Sequence, residues 1–182
     1  GHIDQMVPDA VNVPFPTATY AQDDDGNYIA NLEAYEGMLV NIAQDMTVTE
    51  LFNLDRFGQY NVTAGERPTQ FTQNNDPDAA ANEAYLQEVA TRTLVLDDGF
   101  SNQNPDDIAV IDGNDGILSN TDTFRMGDTV SDITGVVSYS FDEFRIDAPT
   151  GNYTSANPRE EAPAELGGNF KVASLNVLNY FT

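Results

Sequence analysis

The chain has 182 residues, enough for one domain of ordinary size, and 40% of them are hydrophobic, which can supply a core. Thirty acidic residues against seven basic ones give a formal charge of −23, a field that repels phosphate backbones, attracts cations and favours solubility. There is no cysteine and His2 is the only histidine, so a disulfide framework is excluded and a histidine-based dyad or zinc site is disfavoured. No apolar run reaches membrane-spanning length and no signal peptide is visible; Gly1-His2 reads as a cloning remnant.

Residues 1–29 read as an extended N-terminal segment, with Val13-Pro14-Phe15-Pro16 held open by its prolines. Asp23-Asp24-Asp25-Gly26-Asn27 predicts a turn; as a calcium loop it lacks the glutamate at position twelve, where Ala34 stands. From Tyr35 to Glu50 apolar and polar residues alternate through Met38, Val40 and Ile42, and again through Met46 and Val48. The polar pair Gln44-Asp45 between them predicts a long strand with a sharp bend. Arg56-Phe57-Gly58 is a turn, and Gln59 to Thr63 returns as an antiparallel partner with Tyr60 and Val62 on one face.

Asp76-Pro77-Asp78 predicts a helix over 77–90, with Asp76 as its cap and Ala81, Tyr85 and Val89 on its apolar face. Arg92 to Leu96 is a short strand closed by Asp97-Asp98-Gly99. Phe100 to Asp122 is a long polar loop containing Asp112-Gly113-Asn114-Asp115-Gly116. The acid-rich positions Asp97, Asp98, Asp112, Asn114 and Asp115 are the candidate metal ligands, against the simpler reading of solvated loops. Asp128 to Phe141 is a second long strand, with Gly135 allowing curvature and a tight turn at Asp142 leading to Phe144 and Ile146. Tyr139, Phe141, Phe144, Arg125 and Arg145 are candidate nucleic-acid contacts; the three aromatic residues can equally be core or packing residues. Residues 151–168 read as a linker, and the apolar run from Phe170 to Phe181 as the opening strand of a further, truncated domain at 169–182.

Lys171-Val172-Ala173-Ser174-Leu175-Asn176-Val177-Leu178-Asn179-Tyr180-Phe181 resembles the opening strand of the endonuclease/exonuclease/phosphatase superfamily. Upstream, Tyr35-Glu36-Gly37-Met38-Leu39-Val40, Thr47-Val48-Thr49-Glu50, Phe57-Gly58, Leu96-Asp97-Asp98-Gly99 and Gly127-Asp128-Thr129-Val130 resemble the OB-like domain that precedes this catalytic domain in large extracellular bacterial nucleases. The resemblance implies an extracellular or cell-surface enzyme that degrades DNA, and sometimes RNA, with magnesium, manganese or calcium. It implies a role at the metal-phosphate site for Asn176; the other catalytic groups would lie in a downstream domain. The expectation is therefore a mainly β, OB-fold-like five-stranded barrel over 30–150 with one capping helix. The fragment itself would be non-catalytic, would need no cofactor of its own, and would pack on the catalytic domain of the same chain. The alternatives are a module that binds nucleic-acid substrate and a calcium-stabilised module.

Overall fold

A computed structural model of the chain describes residues 8–119 and 124–158, and beyond them 160, 162, 164, 165, 167–170, 172 and 174. In chain order the strands are β1 (Val11–Asn12), β2 (Tyr20–Gln22), β3 (Tyr28–Ala30), β4 (Leu39–Ile42), β5 (Met46–Glu50), β6 (Gln59–Ala64), β7 (Thr93–Asp97), β8 (Thr129–Ser140) and β9 (Glu143–Thr154). A one-turn helix α1 (Leu54–Phe57) precedes β6 and a longer helix α2 (Ala79–Arg92) precedes β7.

The expected bend falls between β4 and β5. Both halves run antiparallel to β8, β4 along Ile133–Val136 and β5 along Thr129–Val130. Gln44 is tied at the bend: its side-chain amide donates to the Phe15 carbonyl (2.6 Å) and its Oε1 accepts from the Phe15 N–H (3.1 Å). The amide thus stands in for a strand's own polar groups where the chain leaves the sheet. Beyond the bend β5 pairs with β6 and β6 with β7, both antiparallel; β7 lies parallel to β9, and β9 returns antiparallel to β8. Since β8 also holds β5, the hydrogen bonds run in a ring through five strands. β8 returns over a long connection to lie beside β5, and β9 fills the place between β8 and β7. Gly135 belongs at the most crowded part of β8: a Cβ there would overlap the Ile146 side chain and approach the Asp147 carbonyl.

The core follows the strand period. Val40, Ile42, Met46, Val48, Val62, Leu96, Val130, Ile133 and Ile146 are fully enclosed. Val13 and Phe15 from the N-terminal stretch join it, as do Val110 and Ile111 from the long loop. That loop, expected at the surface, therefore contributes packing through its short apolar run Ile108-Ala109-Val110-Ile111.

Several expectations are corrected. Met38 lies one residue before β4 and Tyr139 one residue from the end of β8, so core cover runs out at both and each is partly exposed. Helix α2 is capped by Asp78, not Asp76: Asp78 is extended, and its Oδ1 accepts from the Ala81 N–H at 2.9 Å. Its face is less buried than the spacing predicts; Tyr85 and Val89 are half-buried and Ala81 is exposed. The helix lies on the β2–β3 hairpin, a narrow surface, with the Tyr28 hydroxyl donating to Glu83 at 2.7 Å. β9 runs on through Gly151–Thr154, into the stretch read as linker. The expected strand from Phe170 to Phe181 falls mostly outside the described residues, and Asn176 lies outside them.

Candidate functional site

The β8–β9 hairpin closes on two residues, Phe141 (φ 51°) and Asp142 (φ 63°), both in the left-handed region. Two such residues match the right-handed twist of a hairpin, and Asp accepts the conformation readily. A phenylalanine does not: the left-handed region costs an L-residue about 1–2 kcal/mol. The turn sets Phe141 out from the sheet with 88% of its surface exposed.

Beneath it sits Arg145, only 3% exposed. Its Nη1 donates to Asp97 Oδ2 at 2.8 Å and its Nη2 to the Ser140 carbonyl at 2.6 Å, while Glu143 Oε2 lies 3.8 Å away. The guanidinium carbon is 5.6 Å from the Phe141 ring centre. Its Nε–H is buried with no hydrogen-bond partner among the described residues. The parallel register that sets Val95 opposite Arg145 brings Asp97 within reach. Asp97 also accepts from Gln59 Nε2 (2.7 Å) and from the Gly99 N–H (2.8 Å). Its charge is therefore matched by one guanidinium and two neutral donors.

Asp98, next along, accepts from the Phe100 N–H at 2.8 Å and packs on Gly58, where a Cβ would overlap its carboxylate. Gly58 ends α1 in the left-handed conformation that glycine adopts without cost. Burial raises the Asp98 carboxyl above its ordinary range; the Phe100 hydrogen bond opposes this and Asp97 adds to it. Glu143 is likewise raised by burial, with Arg145 pulling it back.

The loop between β5 and β6, the segment after β7 and the β8–β9 turn together enclose a cleft of about 560 Å³. Phe100 (65% exposed) and Phe141 are its exposed aromatic residues; Asn53 and Gln59 bring amides, and Glu143 and Arg145 bring charge. This is the composition of a small-ligand site, apolar walls with a few convergent polar groups.

Of the expected nucleic-acid contacts, Phe141 and Arg145 line this cleft, but the Arg145 charge is spent on Asp97. Phe144, its neighbour on the strand, faces the other way into the core, and Tyr139 packs on it with ring centres 4.8 Å apart. Arg125 precedes the opposite end of β8, where its N–H donates to Asp128. The five do not share one exposed face.

The expected metal ligands separate too. Asp97 and Asp98 close β7, whereas Asp112, Asn114 and Asp115 shape a turn of the long loop. There Asp112 Oδ1 accepts from the Asn114 and Gly116 N–H groups and Asp115 from Ile117; Asp112 Oδ2 is buried with no hydrogen-bond partner among the described residues. Among the described residues no three His, Cys, Asp or Glu side chains come together as a group that could hold a metal ion. No helix among them is long and apolar enough to cross a membrane.

Sequence reasoning named Phe141 but missed Phe100, Gln59 and Asn53, which sit in loops and on a strand without a pattern of their own.

A family model described as "Domain of unknown function (DUF8508)" matches residues 20–158. No curated protein and no solved structure matches the chain.

Proposed function

We propose that this chain, which belongs to the DUF8508 domain family, is an OB-like, non-catalytic accessory domain of a secreted metal-dependent nuclease, and that it holds a ligand for that enzyme in the cleft at Phe141. The observation that carries the reading is where the cleft sits. Numbering the ring strands from β5, it lies between the loop joining the first and second and the turn joining the fourth and fifth. OB folds hold oligonucleotides and oligosaccharides with these two connections. The strand order supports the same reading: β5, β6 and β7 follow one another and the fourth strand returns beside the first, a Greek key. The nuclease part rests on the resemblance at 169–182 and on the upstream segments quoted with it. In that reading hydrolysis and the divalent metal belong to the domain that begins near Phe170.

The test has two arms. Plasmid incubated with the purified chain in magnesium, manganese or calcium should stay intact, and metal-dependent nicking that survives further purification would sink the non-catalytic reading. In the full-length enzyme, Phe141→Ala should slow digestion of its natural extracellular DNA-containing material. It should leave cleavage of a short soluble oligonucleotide unchanged. Equal rates on both materials would remove the ligand-holding role.

A further inference from the structure

Resting on the reading of the cleft as this domain's working surface, we infer that its ligand is a neutral, hydroxyl-rich sugar chain and not a nucleic-acid strand. Charge decides between the two. The charged side chains on the walls are Arg145, Asp97 and Glu143, one positive and two negative, on a chain carrying −23 overall. Arg145 is already neutralised by Asp97 at 2.8 Å. A phosphate backbone entering here meets net negative charge on the walls and, at the rim, the single cation Arg56, held on Gln103 (3.2 Å) and on the Phe57 ring (4.9 Å), so little of the counterion-release gain on which nucleic-acid affinity rests is on offer. A neutral ligand pays no such penalty.

The uncharged groups point the same way. Phe141 and Phe100 offer exposed ring faces, which take the C–H face of a sugar ring as readily as another apolar surface. Asn53 and Gln59 carry amides that both donate and accept, matching hydroxyl groups that do the same. The Glu143 carboxylate supplies an acceptor for a hydroxyl proton. The strain at Phe141 fits as well, because strained residues persist where a site requires their placement.

The experiment titrates the purified chain with cellohexaose, laminarihexaose, chitohexaose and a ten-residue oligo-dT by calorimetry, repeated with Phe141→Ala and Phe100→Ala. Both positions are solvent-exposed, so neither change should unfold the domain, and melting curves check this. At least one hexaose should bind saturably with a Kd below about 1 mM. That affinity should be unchanged between about 0.05 and 0.5 M sodium chloride, as expected for an uncharged ligand. Each variant should weaken it about tenfold, the worth of one stacked ring. Silence from all three hexaoses, or binding unaltered in both variants, overturns the inference. Oligo-dT binding that is lost with Phe141 and weakens with salt would overturn it too, yet leave the cleft as the accessory site. Silence from every probe, with Phe141→Ala also without effect in the full-length enzyme, would remove both readings.

Discussion

Asp98 is a carboxylate in a tight place, set between Gly58, Asp97 and the Phe100 amide with no paired cation among the described residues. Burial raises its pKa in the folded protein, so the folded state holds the proton more tightly than the unfolded chain does. Stability is then lost as pH rises from the unfolded value through the folded one, and the penalty is complete above the latter. Asp98→Asn removes the charge and keeps an oxygen to accept from Phe100. Its melting temperature should exceed that of the native protein at pH 7, and the difference should vanish as pH falls below about 4, where both states are protonated. Thermal melts across pH 3–8 check this; a lower melting point at pH 7 would mean the charge itself is needed. The sequence displayed Asp97 and Asp98 as an acidic pair and invited a metal. It could not display that β9, nearly fifty positions on, delivers Arg145 to one of them, because that pairing depends on a parallel register no local pattern encodes.

Local elements were more legible. The polar interruption at Gln44-Asp45 marked the bend, and the alternation in 59–63 and 128–141 marked β6 and β8, because each is written in side-chain period alone. The helix was legible as a helix but not in its setting. Its four-residue spacing is real, yet the surface it meets is a two-stranded hairpin, which covers less of it than a barrel end would. Its start was misplaced because Asp76-Pro77 offers the same signal as Asp78; only the Asp78 carboxylate reaches a helix N–H. Asp78→Ala should therefore cost about 1 kcal/mol of stability, whereas Asp76→Ala should stay within about 0.5 kcal/mol of the native value. Urea denaturation of the two variants separates them, and equal losses would shift the cap back. The end of β9 was illegible for a different reason. Gly151-Asn152 opens the stretch read as a linker, but Gly151 sits where a Cβ would press on the Ser131 carbonyl, and pairing with β8 resumes there after two shifts of register.

At the scale of the molecule the acid excess dominates. Among the described residues the ion pairs are Arg92 with Glu88 and Arg145 with Asp97 and Glu143, so added salt has few attractions to weaken. It has many repulsions to relieve. Raising sodium chloride from about 0.05 to 0.5 M should increase the melting temperature, and calcium chloride at equal ionic strength should match it. A flat response would show that the repulsion is unimportant, and a far larger effect of calcium would reveal a specific ion.

The ring has one more consequence, which concerns time. Met46 must find Val130, and Val95 must find Arg145, before the circle of backbone bonds is complete. Neither meeting can begin as a hairpin, and the long loop between β7 and β8 must give up its freedom before either contact repays it. Such a chain reaches its native state at the slow end of single-domain behaviour, on the order of milliseconds to seconds. Until the last seam shuts, its two strands, β5 and β8 or β7 and β9, each present an open row of amides and carbonyls to the solution, and so to any neighbouring chain. For such an interval, a surface bearing −23 is a safeguard: unfinished copies repel one another while each completes its own circle.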